Sequence, residues 1–295
     1  MKRVLVTGAT GFTGSYVLPM LLEQGFRLRC LLRPASEKKK YLAGQVEWVY
    51  GDLDNLSSLI EAMKDVEILV NLASIGFGHA PNIVHAALIS GVKRALFIST
   101  TAIFTTLNAP SKAIRLSAED MIKSSGLQYT ILRPTMIYGS SQDRNMSRLI
   151  RYLSKSPVIP VFGEGKYLQQ PVYVGDVAKA VVDCISTEKT FRRCYNIPGA
   201  QAITYNEIIE TICQLLRHSV VKIHLPARPF ISFFHLFEKF GLRFPIRREQ
   251  ILRLNEHKVF DFDEASKDFY YSPCSFEQGV SLELKEMGLI PLWTI

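Results

Sequence analysis

Val4 to Gly14 read VLVTGATGFTG, an apolar strand running straight into Gly8, Gly11 and Gly14 at three-residue intervals. A helical pattern follows over Ser15 to Gln24. Glycines at a strand-to-helix turn let the backbone approach a pyrophosphate, whose charge the helix amides and the positive helix end then stabilise. The stretch therefore predicts a dinucleotide site built from Thr7, Gly8, Thr10, Gly11, Phe12, Thr13 and Gly14. Because glycine turns also join strands to helices for steric reasons alone, the surrounding sequence must discriminate.

The next apolar run, Arg27 to Leu32, ends at Arg33, 25 positions after Gly8. A dinucleotide fold places there the residue that reads the adenosine ribose. An acidic side chain would accept from the 2'-hydroxyl, whereas Arg33 offers a forked cation suited to a 2'-phosphate. Lys38, Lys39 and Lys40 add positive charge just downstream. The pattern favours NADP(H), with NAD(H) as the alternative. The competing reading is that these are solvated loop charges.

Composition narrows the class. With 47% hydrophobic and 21% charged residues over 295 positions, the chain reads as globular. It has no tract of about 18 uncharged apolar residues, so no transmembrane span is expected. No signal-peptide pattern precedes the first strand. Cys30, Cys184, Cys194, Cys213 and Cys274 form no Cys-x-x-Cys pair, which argues against a zinc site or a disulfide framework and fits a cytoplasmic setting. No metal site is expected. The net charge of +8 comes with no recognisable nucleic-acid module, so an anionic cofactor and substrate explain it more simply.

Strand patterns near 3–7, 27–33, 46–50, 66–71, 94–99 and 128–133 alternate with helical ones. Runs such as Ile68-Leu69-Val70 and Ala95-Leu96-Phe97-Ile98 suit a parallel sheet covered on both faces. The expectation is an α/β Rossmann-type doubly wound parallel sheet with a smaller C-terminal substrate-binding lobe. The core is expected over 1–165, with about 171–198 returning to it, and 199–295 mainly form the lobe.

Further stretches add a family resemblance: Gly51-Asp52-Leu53, Asn71-Leu72-Ala73-Ser74, Ser99-Thr100-Thr101, Leu132 to Gly139 (LRPTMIYG), Pro171 to Ala178 (PVYVGDVA) and Phe276 to Gly279 (FEQG). With the TGATGFTG turn, these make the chain resemble the short-chain dehydrogenase/reductase superfamily in its extended, epimerase/dehydratase-like branch, over nearly the whole length. The resemblance implies adenine contact by Asp52 beside Leu53, a cofactor cleft lined by Asn71, Leu72, Ala73 and Ser99, and a nicotinamide end beside Pro134 and Thr135. Competing local roles are a helix cap for Asp52, backbone bonding for Asn71 and a strand end at Pro134.

The chain departs from that family at the catalytic pair, a Tyr and a Lys four residues later. If Glu119 matches the acidic residue that follows the lysine, Ser111 and Arg115 occupy the two positions. If Ser111-Lys112 matches the familiar Ser-Lys dipeptide, Asn108 stands in the tyrosine position. Neither register supplies the phenol. This resembles the atypical branch, which includes nitrogen-metabolite repressor-like redox sensors and the large accessory subunit of respiratory complex I. Candidate substitutes for the relay are Thr100, Lys112 and Arg115, and candidate substrate-side phenols are Tyr138 and Tyr173. Arg133 is read as substrate-facing or paired with a structural carboxylate.

Residues 226–245, PARPFISFFHLFEKFGLRFP, carry six phenylalanines. A packed helix pair, a greasy substrate pocket, and a patch for peripheral membrane or protein contact are the competing readings. Two functions follow from the whole. One is an NADP(H)-dependent oxidoreductase or nucleotide-sugar epimerase/dehydratase-like enzyme with a non-standard relay and a small-molecule substrate. The other is a catalytically silent redox sensor or assembly protein.

Overall fold

The computed structural model describes residues 2–37, 42–107, 109–227, 229–231 and 248–291. Lys38, Lys39, Lys40 and Asn108, and 232–245 of the phenylalanine-rich stretch, lie outside the described residues.

In chain order the strands begin with β1 (Arg3–Thr7), β2 (Arg27–Leu32), β3 (Glu47–Tyr50), β4 (Ile68–Asn71), β5 (Arg94–Ile98), β6 (Gln128–Pro134) and β7 (Ile137–Tyr138). They continue with β8 (Val158–Phe162), β9 (Leu168–Gln169), β10 (Val172–Tyr173), β11 (Arg193–Ile197), β12 (Ile203–Thr204) and β13 (Val221–Leu225). The helices are α1 (Phe12–Glu23), α2 (Leu56–Ala62), α3 (Ala80–Ile89), α4 (Pro110–Ser124), α5 (Met146–Leu153), α6 (Val174–Ser186) and α7 (Tyr205–Leu216). Then come α8 (Arg248–Leu254), α9 (Asp263–Phe269) and α10 (Phe276–Glu286).

The chain divides into two compact units. The first comprises Met1–Thr135, Val174–Ile197 and Asp261–Ser272. It holds a seven-stranded sheet in the order β11-β6-β5-β4-β1-β2-β3, parallel at every pairing. Successive strand residues point to opposite faces. Leu5, Leu69, Phe97 and Ile131 therefore meet Leu59 of α2, Ile83 of α3 and Ile122 of α4 in one core layer. On the other side α1 packs along α6, and α6 packs on β5 and β6. Both faces are covered, which is why β4 and β5 are buried at every position.

The doubly wound parallel sheet expected from the sequence is the one found. Its seventh strand, β11, is absent from the predicted strand set. The sequence Arg-Cys-Tyr-Asn-Ile has no continuous apolar run, and in β11, at one sheet edge, only Tyr195 and Ile197 are buried. Strand order reverses between β1 and β4, and in such sheets ligands bind beyond the carboxyl ends of the strands at that point.

The second unit comprises Met136–Tyr173, Pro198–Phe260 and Pro273–Ile295. Its sheets are two-stranded: β10 beside β7, β12 beside β9 and β13 beside β8. A core of Tyr138, Ile150, Ile208, Ile212, Phe276 and Leu284 joins α5, α7 and α10. The FEQG motif has a local explanation there. Ser275 and Gln278 close a capping box at the start of α10, and a Cβ on residue 279 would fall 2.1 Å from the Tyr138 hydroxyl.

No helix among the described residues is long and apolar enough to cross a membrane. No group of three or more His, Cys, Asp or Glu side chains among them could hold a metal ion.

Candidate functional site

At the carboxyl end of β1 the backbone turns at Gly8 with φ of +68°, a conformation open to glycine. A Cβ there would lie 2.8 Å from the Ala73 nitrogen, so the turn after β1 sits directly on the turn after β4. Gly14 is required by space, since a Cβ would stand 2.4 Å from the Ala9 carbonyl oxygen. Beneath the turns, the buried Thr7 hydroxyl donates to Asn71 Oδ1 at 2.6 Å, and Asn71 Nδ2 donates to the Ala73 carbonyl at 2.8 Å. Leu72 N–H donates to the Thr7 carbonyl at 3.1 Å. Asn71 is thus engaged in fixing the two turns together, the backbone-bonding role weighed for it.

Gly11 is the N-cap of α1, with no side-chain cap and no acidic residue in the first turn. The first helical bond runs from Ser15 N–H to the Gly11 carbonyl at 3.1 Å, so the amides of Phe12, Thr13 and Gly14 precede it. A helix start whose first amides lie outside the helical ladder, with a glycine cap and no competing carboxylate, suits an anion such as a diphosphate.

Arg33 follows β2 directly, is exposed, and forms no ion pair among the described residues. After β3 comes the turn carrying Asp52 and Leu53. Asp52 Oδ1 accepts from Asp54 N–H at 3.0 Å, while α2 is capped by Asn55, which accepts from Ser58 N–H at 3.0 Å. The capping role weighed for Asp52 therefore belongs to Asn55, and Asp52 stands exposed in the turn ahead of it.

Beyond β5, Thr100 caps a short 3-10 turn by accepting from Ala102 N–H at 3.2 Å. Ser99 is buried and donates to Glu119 Oε1 at 2.6 Å. Glu119, fully enclosed, also binds Arg133 through Nε at 3.0 Å and through Nη2 at 2.5 Å. Burial works against the Arg133 charge, but its hydrogen bonds and attraction to Glu119 outweigh that and raise its pKa. Of the two roles weighed for Arg133, the pairing with a structural carboxylate is the one observed. Pro134 ends β6, and its carbonyl accepts from Thr101 at 3.4 Å, while Thr135 N–H donates to the Ile197 carbonyl at 3.3 Å.

On α4, Arg115 Nη1 donates to Ser111 Oγ at 2.6 Å. Its guanidinium lies against Gly76, where a Cβ would stand 2.8 Å from Nε and 3.0 Å from Cζ. Lys112 Nζ donates to the Thr105 carbonyl at 2.6 Å. These contacts bring Arg115 beside the 3-10 turn that follows β4 and anchor Lys112 to the loop ahead of α4. The fit of Gly76 to Arg115 has no counterpart in the sequence reading; the only signal is the pair of glycines in Ile75-Gly76-Phe77-Gly78.

Tyr138 and Tyr173, the phenols expected on the substrate side, lie in the second unit. Tyr138 is 1% exposed and donates to the Phe276 carbonyl at 3.3 Å, with the Tyr173 and Phe276 rings 6.1 and 5.4 Å from its own. Tyr173 is half-buried against that core.

Comparison with known proteins bears on the first unit and on the whole chain. A sequence model described as NAD(P)H-binding matches residues 8–188. The chain is 24% identical over 286 residues to NADH dehydrogenase (ubiquinone) 1 alpha subcomplex subunit 9 of Arabidopsis thaliana, a mitochondrial protein, covering 89% of this chain and 70% of that one. It is 22% identical to UDP-glucose 4-epimerase of Vibrio cholerae, covering 81% and 83% of the two chains. The crystal structure of Thermotoga maritima UDP-glucose 4-epimerase with UDP-glucose superposes with a TM-score of 0.76 at 18% identity, over 97% of this chain and 98% of that one.

Proposed function

Because the chain belongs to the NAD(P)H-binding family and has the fold of the extended, epimerase/dehydratase-like short-chain dehydrogenase/reductases, we propose that it binds NADP(H) in the crevice of its first unit and that binding, rather than turnover, is its function. In this reading the diphosphate rests on the amides from Gly11 to Gly14. Arg33 takes the 2'-phosphate, Asp52 and Leu53 flank the adenine, and Leu72, Ala73, Ser99, Pro134 and Thr135 line the path to the nicotinamide. Arg115 holds the nicotinamide-side ribose or phosphate.

The Arg115–Ser111 hydrogen bond carries the conclusion. A bound nicotinamide supplies hydride chemistry, and reduction of a carbonyl also needs a proton donor. Arginine stays protonated at all working pH values, so the cation here orients and neutralises but does not exchange a proton. Lys112 is committed to a backbone carbonyl and Thr100 to a turn. The role is then that of a redox sensor or an assembly protein in a cytoplasmic setting.

The second reading, an oxidoreductase or nucleotide-sugar epimerase/dehydratase-like enzyme, draws on the whole-chain likeness to an epimerase. It assigns substrate orientation to Thr100, the relay to Lys112 or Arg115, and substrate contact in the second unit to Tyr173 and Tyr138. Calorimetric titration with NADPH, NADP, NADH and NAD, followed by the reduced-nicotinamide absorbance during addition of nucleotide-sugars and carbonyl compounds, separates the readings. Tight binding of both NADP forms without turnover is the expected result. Substrate-dependent absorbance change that Thr100→Ala abolishes at unchanged cofactor affinity would establish the enzyme.

A further inference from the structure

In a parallel sheet the strands all begin at one edge, so the amino ends of β1, β2 and β3 lie opposite the edge that carries Gly8 and Asn71. A cavity of about 370 Å³ opens there, with Arg3, Phe26, Arg27, Leu28, Val46 and Glu47 among its lining residues. All of its lining belongs to the first unit, and none of it to the residues assigned to the dinucleotide.

Arg3 and Arg27 are register partners on neighbouring strands. Such partners stand about 4.8 Å apart in the backbone and project to the same face. Two like charges side by side repel unless something neutralises them. Neither guanidinium has a hydrogen-bonded carboxylate among the described residues. Arg3 Nη1 is 3.7 Å from Asp65 Oδ2, beyond hydrogen-bonding distance, and that aspartate side chain is 76% exposed, so the pair is weak. Glu67 Oε1 accepts from the Arg3 backbone N–H at 3.3 Å. Arg27 is exposed and forms no ion pair among the described residues. One step along β2 the charges are matched: Arg29 Nε is 3.0 Å from Glu47 Oε2, and its Nη1 donates to the Ala62 and Lys64 carbonyls at 3.0 and 2.7 Å. The Glu47 carboxylate is thereby taken up by Arg29, which leaves the charges of Arg3 and Arg27 unmatched at the cavity.

We propose that this cavity binds a small organic phosphate monoester, its head between Arg3 and Arg27 and its apolar ester group against Phe26, Leu28 and Val46. A phosphate monoester carries a charge of about −1.5 to −2 near neutral pH and presents three acceptor oxygens. That matches two forked guanidinia, whereas a carboxylate neutralises only one. The free chain carries the repulsion between the two arginines, and the anion relieves it, so binding and stability are linked through the same pair. The site lies at the far end of the sheet from the dinucleotide crevice and does not depend on it.

Phenyl phosphate is the probe, followed on the full chain by amide NMR shifts and by the thermal midpoint in phosphate-free buffer. Shifts should concentrate at residues 26–28 and 45–47, and the midpoint should rise with ligand concentration. Benzoate, an aromatic monoanion, should bind about tenfold more weakly, as loss of one hydrogen bond to a charged group requires. Arg27→Ala should weaken phenyl phosphate by about tenfold or more, yet leave the midpoint of the ligand-free chain unchanged or higher, because it removes the repulsion with Arg3. Arg27→Lys, which keeps the charge but not the fork, should bind with intermediate affinity. Shifts confined to residues 8–14 would put the anion on the glycine turn and overturn the site, as would no shifts at millimolar probe or unchanged affinity in Arg27→Ala. Equal binding of benzoate overturns the assignment of a dianion. A lower midpoint for ligand-free Arg27→Ala would mean that Arg27 serves the fold, and the argument from unmatched charge falls.

Discussion

Arg115 Nη1 donates to Ser111 Oγ at 2.6 Å, one helical turn apart on α4. In the register that matches Glu119 to the family's acidic residue, the positions reserved for a lysine and a tyrosine thus hold a guanidinium and an alcohol bonded to each other. The guanidinium also lies against Gly76, so three residues define a fixed cation beside the turn after β4.

Arg115→Ala should weaken NADPH binding about tenfold or more, the range for a hydrogen bond to a charged group, with little change in thermal midpoint. Gly76→Ala should reproduce part of that loss. The atoms nearest the new methyl belong to the end of a flexible side chain, so the fold should tolerate it while the guanidinium must move. Calorimetry and a thermal melt on both variants check this, and unchanged affinity in Arg115→Ala would remove the residue from the site.

Arg33→Asp should abolish the preference for NADP(H) over NAD(H). An aspartate after β2 accepts from a ribose 2'-hydroxyl and repels a 2'-phosphate. The ratio of the two dissociation constants is the readout, and a ratio equal to that of the unaltered protein would sink the assignment.

The fold was legible because it depends on local signals: apolar runs in β1, β4 and β5, and a glycine turn feeding α1. The edge strand β11 was not, because its Arg-Cys-Tyr-Asn-Ile mixes polar and apolar residues, whereas the opposite edge strand β3 is marked by its Trp48-Val49-Tyr50 run. Within the site, the positions of Gly8 and Gly14 follow from backbone demands that sequence reveals. The partners of polar residues do not. Glu119 meets Ser99 and Arg133 across 20 and 14 positions, and the bond between His79 and Asp54 spans 25. Such pairings are created by the strand order, which a single sequence does not carry.

Glu119→Ala should cost about 3 kcal/mol or more, because it strands the largely buried Arg133 without its counter-charge and removes the acceptor of Ser99. Adding Arg133→Met should recover a substantial part, since an apolar side chain of similar length leaves no buried charge. Denaturant midpoints for the single and double variants measure the coupling. Additive losses would show that the pair is not energetically linked.

Glu283 on α10 is fully enclosed beside Asp143. Burial is the main reason its carboxyl is pushed up to about 10, with the Asp143 and Glu286 charges adding to it and Arg151 opposing. The folded-state pKa lies above the unfolded one, so the folded chain keeps a proton that the unfolded chain releases. The associated stability is complete below the ordinary carboxylate range and declines as pH rises toward about 10. Glu283→Gln keeps the shape and removes the titration. Its stability relative to the unaltered protein should therefore rise between pH 6 and pH 8.5, at a rate approaching about 1.4 kcal/mol per pH unit. Denaturant midpoints of the two proteins at both pH values test this. Parallel pH dependence would mean that Glu283 is already ionised in the folded chain, and that the second unit tolerates a carboxylate pair in its interior.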